Sequence, residues 1–332
     1  VPAAPSYDLP EAAIAQVPME PRDAARLLVD RGPGTRPEHR TVADLPGLLG
    51  PGDVLVLNET RVLPARLRLH KPTGGAVEVL LLGPEGDDRT WSALVRPSKK
   101  VAVGSVFEVG EDLTVEVGDR LGAGTRLVRL TTPDLEAALA RHGEVPLPPY
   151  LHEGLADPDR YQTVYATRPG SVAAPTAGLH LTPEVLARCE AAGAAVHRLD
   201  LTVGLGTFKP VTAERLVDHE VHEEPYAVPE ATMAACEAAE RVVAVGTTTV
   251  RALETAAATG ELSGRSRLLI HGDFRWRVVD ALVTNFHLPH TTLLLLIEAF
   301  VGPRWRDLYA TALAEGYRFL SFGDAMFLER AR

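Results

Sequence analysis

Residues 65–131 differ in texture from everything around them, and that difference limits the folds open to the chain. Six short runs there, at 65–69, 76–82, 91–95, 106–109, 113–117 and 125–130, alternate apolar and polar residues between glycine-bearing turns. Period-two alternation buries one face of a strand, and short strands joined by tight turns close readily into a small antiparallel barrel. Outside this window the pattern changes. Asp53-Val-Leu-Val-Leu57 is a continuous apolar run, expected of a strand buried on both faces. The spacing predicts helices over 183–192, 230–239, 248–258, 291–300 and 305–314, with strands over 195–201, 241–245, 268–270, 278–283 and 318–321. The expected fold is α/β: a large α/β domain, residues 1–64 and 132–332, carrying an inserted six-stranded antiparallel β-barrel domain at 65–131.

With 332 residues and 45% hydrophobic content the chain can bury a substantial core. The longest apolar candidate for a membrane span, Leu293–Ile297, falls far short of the roughly 18 residues required. Val1-Pro-Ala-Ala-Pro-Ser6 has neither the basic nor the apolar region of a signal peptide, so a cytoplasmic, membrane-free protein is expected. Cys189 and Cys236 fall in alanine-rich helices and read as buried thiols. A net charge of −10 argues against nonspecific coating of nucleic acid. It leaves room for two local patches, Arg61 with Arg66 and Arg68, and Arg96-Pro-Ser-Lys-Lys100 on a barrel loop. Each is either a solvated charged face or a set of phosphate contacts.

Polar clusters follow several predicted strands, where open α/β sheets place ligands. Asn58-Glu-Thr-Arg61 follows the apolar run at 53–57. Gly246-Thr-Thr-Thr-Val-Arg251-Ala-Leu-Glu254 opens a helix with hydroxyls and aims free N–H groups at an anion or carboxylate, although it lacks the lysine and spacing of a P-loop. Arg251 and Glu254 are also spaced to pair on a helix surface. Val203-Gly204-Leu-Gly206-Thr207-Phe208 allows close backbone approach to a flat ligand. Thr284-Asn285-Phe-His287-Leu-Pro289 can orient a base or ribose, or simply cap a loop. Pro169-Gly-Ser-Val-Ala-Ala-Pro-Thr176-Ala-Gly178-Leu-His180 reads as a site loop or as a tight crossover ahead of a helix capped by Thr182. In His219-Glu-Val-His222-Glu-Glu224-Pro-Tyr226 the order is not that of a zinc site and no third ligand stands at characteristic spacing. No metal is therefore expected. A histidine beside a carboxylate suits general acid–base work, with a solvated loop as the plain alternative.

Together these segments resemble the S-adenosylmethionine:tRNA ribosyltransferase-isomerases of queuosine biosynthesis over nearly the whole chain, from Tyr7-Asp-Leu-Pro10 to Gly323-Asp-Ala-Met326. Further matching stretches are Ile14-Ala-Gln16, Glu20-Pro-Arg-Asp-Ala24, Asn58-Glu-Thr-Arg-Val-Leu-Pro-Ala-Arg66, Val145-Pro-Leu-Pro-Pro-Tyr150 and Asp159-Arg-Tyr-Gln-Thr-Val-Tyr165. The resemblance implies a large α/β domain with an inserted barrel. It implies a reaction in which S-adenosylmethionine gives up its ribosyl portion to 7-aminomethyl-7-deazaguanine at the tRNA wobble position, yielding epoxyqueuosine, adenine and methionine. S-adenosylmethionine is then a consumed substrate, with no cofactor. The sulfonium acidifies the neighbouring ribose methylene, a base forms an ylide, adenine leaves, the acceptor amine adds, and epoxide closure expels methionine. That chemistry needs a base near neutral pKa, for which His219 or His222 oriented by Glu224 stands first and His180 second. Contacts to S-adenosylmethionine fall to Thr176, Gly178, Gly204, Gly206, Gly246, Thr247, Arg251, Asn285 and His287. Phosphates of the anticodon stem-loop fall to Arg61, Arg96, Lys99 and Lys100. A monomer is expected.

The chain departs from the family pattern at Thr202, where histidine is usual, and more mildly at Glu59, Leu181, Val221 and Glu298. Two other readings follow. One is a divergent paralogue that cleaves S-adenosylmethionine with a small-molecule acceptor. The other is a noncatalytic RNA-binding protein, which would have little use for so many polar clusters at strand ends.

Overall fold

The continuous apolar run at 53–57 becomes β3 (Asp53–Asn58), buried at every position. It lies parallel to β12 (Ala195–Leu201) on one side and β14 (Arg241–Val245) on the other. Strands are numbered along the chain of a computed structural model, which describes residues 5–122, 124–204 and 223–331. Beyond β14 come β16 (Ala281–Asn285), β17 (Ala325–Glu329), β1 (Arg26–Asp30) and β2 (Glu38–Thr41); beyond β12 come β13 (Glu224–Ala227) and β15 (Ser263–Ser266). These nine strands form one mixed sheet. Its middle, β12-β3-β14-β16, is wholly parallel, whereas β17 runs antiparallel to β16.

Alternate residues of the central strands, including Leu55, Leu57, Val243, Val245, Val283 and Phe327, share a core with Val185 and Cys189 of α2 (Pro183–Ala191). Thr182 starts α2 as expected, its hydroxyl accepting the Val185 N–H at 3.2 Å. The other helices of the large unit are α3 (Glu230–Ala238), α4 (Thr247–Thr259), α5 (Thr292–Val301) and α6 (Trp305–Ala314). Both cysteines are buried free thiols.

Three strand predictions need correction. The run expected at 278–283 enters the ladder only at Ala281, because the N–H groups of Arg277, Val278 and Val279 are taken by the Glu254 carboxylate at 2.9–3.0 Å. Residues 268–270 are not a strand, and the edge position belongs to β15. The segment 318–321 joins no sheet: Phe319 makes a single parallel bridge to Ile14, after which the chain turns, with Leu320 at φ +70° and Asp324 accepting from the N–H groups of both Arg318 and Arg26. The chain enters its last strand only after that turn.

The second sheet is antiparallel, with six strands in the order β5 (Arg66–His70), β6 (Ala76–Glu85), β7 (Asp87–Arg96), β10 (Thr125–Thr131), β9 (Leu113–Gly122) and β8 (Ser105–Val109). Its end strands β5 and β8 come together, so the sheet is a nearly closed barrel. Leu67, Leu69, Val77, Val79, Val95, Val115, Val117, Val128 and Leu130 fill its interior, as period two requires. A two-stranded ladder joins β4 (Thr60–Val62) and β11 (Arg168–Ser171). The chain divides into two compact units, Val1–Thr60 with Pro149–Arg168 and Ala174–Arg332, and Arg61–Pro148 with Pro169–Ala173. The barrel unit thus also takes in 132–148, including α1 (Leu135–His142), residues that the sequence placed in the large domain.

Candidate active site

The four parallel strands of the large unit end side by side, and a polar segment stands at each end. Asn58 closes β3 and is fully buried. Its Oδ1 accepts from the N–H groups of Leu201 (3.1 Å) and Thr60 (3.2 Å), while its Nδ2 donates to the Leu201 carbonyl (3.0 Å) and the Thr248 hydroxyl (3.2 Å). One amide therefore ties the ends of two strands to the first turn of α4, and both its donors are spent. Gly246 turns the chain from β14 into α4 at φ +88°, a region that side chains rarely adopt. No side chain caps α4, so its first N–H groups lack intrahelical and side-chain acceptors.

Above these ends lies a pocket of about 50 Å³. Its polar wall consists of the hydroxyls of Tyr150, Thr176, Thr247, Thr248, Thr284, Thr291 and Ser321, the Asn285 amide and the His287 imidazole; Val203, Phe286, Leu288 and Leu293 supply apolar surface. Among the described residues, no carboxylate, lysine or arginine lines it. Burial pushes the His287 pKa down to about 3 and the Tyr150 hydroxyl up to about 12, so both are neutral at pH 7. His287 Nε2 meets the Thr284 hydroxyl at 2.9 Å, and its backbone N–H donates to the Tyr309 hydroxyl at 3.0 Å. The Tyr150 and Ser321 hydroxyls are 2.6 Å apart.

A second chain of bonds organises the wall. Thr176 donates to Asn285 Oδ1 (3.0 Å), while Asn285 Nδ2 donates to the Leu320 carbonyl (3.1 Å) and meets His180 Nε2 (3.0 Å). A carbonyl only accepts, so the amide nitrogen must face Leu320. His180 Nε2 is then the acceptor, and the ring proton sits on Nδ1. His180 lies behind Asn285 rather than on the pocket wall. Burial first, then the charges of Arg318, Arg160 and Arg22, hold its pKa down to about 4. In this arrangement His180, the second candidate for the base, supports Asn285. Gly178 is also off the wall: a Cβ there would collide with the Tyr165 hydroxyl and crowd the Thr163 methyl.

Of the expected contacts to S-adenosylmethionine, Thr176, Gly246, Thr247, Asn285 and His287 come together at the pocket. Gly204 and Arg251 do not line it; both meet Glu224 instead. Glu224 is buried, accepts the Gly204 N–H at 3.1 Å and is ion-paired with Arg251, whose Nε also donates to the Leu268 carbonyl at 3.2 Å. Arg251 does not pair with Glu254, since that carboxylate is buried against residues 277–279. His219, His222, Gly206 and Val221 lie outside the described residues. Sequence reasoning missed Tyr150, Ser321, Thr248 and Thr291, although Tyr150 closes the recognisable stretch Val145–Tyr150.

The described departures, Thr202, Glu59, Leu181 and Glu298, are not among the residues that line the pocket. The Thr202 N–H pairs with the Pro225 carbonyl at 2.9 Å. Glu59 accepts from the Thr167 hydroxyl (2.9 Å) and Arg168 (3.4 Å), Glu298 holds the Trp305 indole N–H (3.0 Å), and Leu181 joins the core. In the barrel unit, Arg61 faces Glu136 at 3.5 Å, while Arg96, Lys99 and Lys100 are exposed. No helix of the described residues is long and apolar enough to cross a membrane, and none of their side chains cluster as a metal site.

A neutral, hydroxyl-rich pocket at the carboxyl ends of parallel strands defines the large unit as an α/β ligand-binding fold with an enzyme-like crevice. The chain belongs to the queuosine biosynthesis protein family, whose model matches residues 4–328. It is 53% identical to the S-adenosylmethionine:tRNA ribosyltransferase-isomerase of Rubrobacter xylanophilus, covering 97% of this chain and 96% of that protein. It is 50% identical to the protein of the same name from Gloeobacter violaceus, covering 97% and 94%. The crystal structure of S-adenosylmethionine tRNA ribosyltransferase from Thermotoga maritima superimposes with a TM-score of 0.56 at 36% identity, over 97% of this chain and 99% of that one. Full-length membership of an enzyme family sets aside the noncatalytic reading.

Proposed function

We propose that the pocket holds the adenosyl part of S-adenosylmethionine. We further propose that the chain transfers and isomerises the ribosyl portion onto 7-aminomethyl-7-deazaguanine in the tRNA wobble position, releasing adenine and methionine and leaving epoxyqueuosine. The observation that carries this reading is the neutral wall. A nucleoside is uncharged, and a pocket of hydroxyls, an amide and a neutral imidazole recognises it without burying an unpaired charge.

Individual roles follow from hydrogen-bond capacity. The Thr176 proton is committed to Asn285, so the hydroxyl offers lone pairs to the exocyclic amine of adenine. His287 offers its second ring nitrogen to the departing base, where a hydrogen bond stabilises developing negative charge. The N–H groups opening α4 after Gly246 suit the methionine carboxylate, a role that Arg251 gives up to Glu224. The proton abstraction that forms the ylide is assigned to His219 or His222. Glu224 and Arg251 form the charged anchor at the near end of that segment. Arg96, Lys99 and Lys100 are assigned to tRNA phosphates, and the protein is expected to act as a cytoplasmic monomer.

The test is calorimetric titration of S-adenosylmethionine into Thr176→Val and His287→Gln. Each lost hydrogen bond should weaken binding by roughly 3- to 10-fold while tRNA affinity stays unchanged. Wild-type S-adenosylmethionine affinity in both folded variants would remove the pocket from the account.

A further inference from the structure

Arg126 lies inside the barrel. It stands on β10 in the interior register of Val128 and Leu130, where period two predicts an apolar residue, and it is fully buried. No carboxylate among the described residues hydrogen-bonds to its guanidinium; burial lowers its pKa first, then the charge of Arg120, with the Asp119 carboxylate acting the other way through space. Its fork is held by carbonyls alone: Nε and Nη2 donate to Gly118 (3.0 and 2.7 Å), and Nη1 donates to Ser98 (3.3 Å) and Val101 (3.0 Å). A leucine or methionine would fill the same space without desolvating a charge, so stability alone does not account for a guanidinium here.

What the guanidinium grips is informative. Ser98 and Val101 bracket the short 3-10 turn Ser98–Lys100, which carries exposed Lys99 and Lys100 just after exposed Arg96. Lys71 reaches the same turn, donating its ammonium to the Lys100 carbonyl. The other basic patch of the barrel unit is neutralised, with Arg61 on Glu136, Arg66 on Glu78 and Arg68 on Glu144. Arg96, Lys99 and Lys100 have no carboxylate partner among the described residues. Burial lowers the Arg126 pKa from its ordinary value, but a guanidinium still carries its charge at neutral pH.

We propose that Arg126 is a positioning residue for RNA binding, holding the Ser98–Lys100 turn from within the barrel so that Arg96, Lys99 and Lys100 meet a phosphodiester backbone as one preformed cationic surface. This rests on the reading of the chain as a tRNA-modifying enzyme. Preformation matters because long cationic side chains on a loose turn lose entropy on binding, and that loss is subtracted from affinity.

The experiment compares Arg126→Met, Arg126→Lys and the double variant Lys99→Ala/Lys100→Ala with the parent. Binding of a fluorescent anticodon stem-loop RNA is followed across a salt series, and KM is measured for tRNA and for S-adenosylmethionine. Three phosphate contacts to single-stranded RNA give a salt slope of about −2. Arg126→Met should raise the tRNA KM on the order of 10-fold and flatten the slope by about one contact, leaving kcat and the S-adenosylmethionine KM unchanged. Arg126→Lys, which keeps the charge but not the fork, should fall between. A folded Arg126→Met with parental tRNA KM and slope overturns the proposal. If Arg126→Met fails to fold, Arg126→Lys decides, and a parental tRNA KM in that variant overturns it equally. The double variant separates the two ideas: parental RNA binding there means that the turn does not face RNA, whereas loss of binding there with a silent Arg126→Met rejects positioning alone.

Discussion

Acidification should unfold the large unit early, because His180 and His287 are buried neutral. Burial is the first cause in both, with folded pKa values of about 4 and about 3 against 6.5 for an exposed imidazole. Above pH 6.5 neither state binds the proton and the two histidines cost nothing. As pH falls below 6.5 the unfolded chain takes up protons that the folded chain refuses, so stability is lost until the folded pKa is reached. Moving from pH 7.5 to pH 5 gives a loss of about 2 kcal/mol per histidine and about 4 kcal/mol for the pair, from 1.36 kcal/mol per pKa unit. That figure scarcely changes if the folded values move, so long as they stay well below 5. The assay is urea unfolding at both pH values in a Trp91→Phe background, leaving Trp276 and Trp305 of the large unit as reporters. His180→Gln keeps an acceptor for Asn285 but cannot titrate, and it should lose about 2 kcal/mol less than its parent over this interval. Adding His287→Gln should remove a further 2 kcal/mol or so of acid sensitivity. Parallel losses in parent and His180→Gln would mean that His180 charges freely inside the folded protein, contrary to its depressed pKa.

Two further substitutions separate structural from functional roles. Glu254→Gln sets an amide N–H against the Arg277 N–H and should cost about 2–4 kcal/mol while sparing S-adenosylmethionine affinity; equilibrium unfolding and calorimetry check both halves, and a loss of binding in a stable protein contradicts the assignment. Gly178→Ala drives a methyl into the Tyr165 hydroxyl and should destabilise by about 1–3 kcal/mol, part of it recovered by Tyr165→Phe in a double-mutant cycle; simple additivity would show that the collision is relieved elsewhere.

The parallel strands were legible because burial on both faces leaves an unmistakable apolar run, as in Asp53–Leu57 and Val242–Val245. The barrel was legible for the opposite reason, its strict alternation. What failed were elements decided by a distant partner. Glu254 removes residues 277–279 from a strand they otherwise resemble, and Phe319 bridges Ile14 instead of joining a sheet. The same limit applies to the site. Thr176, Asn285 and His287 stand out in polar clusters at strand ends, whereas Tyr150 and Ser321 reach the wall across 171 residues and carry no local mark. His180 stands out as a histidine in a glycine-rich loop, whereas its burial beside Asn285 is visible only in three dimensions. Arg126 did carry a signal, an arginine in the inward register of a barrel strand.

In the proposed reaction this chain consumes S-adenosylmethionine as a ribosyl donor to tRNA. The direct measurement is to incubate the protein with S-adenosylmethionine and tRNA bearing the aminomethyl-deazaguanine, and to follow released adenine together with the mass of the modified nucleoside. One adenine should be released for each epoxyqueuosine formed, with methionine as the other product. Methylated RNA with S-adenosylhomocysteine, or adenine release with no change in the nucleoside, would contradict it.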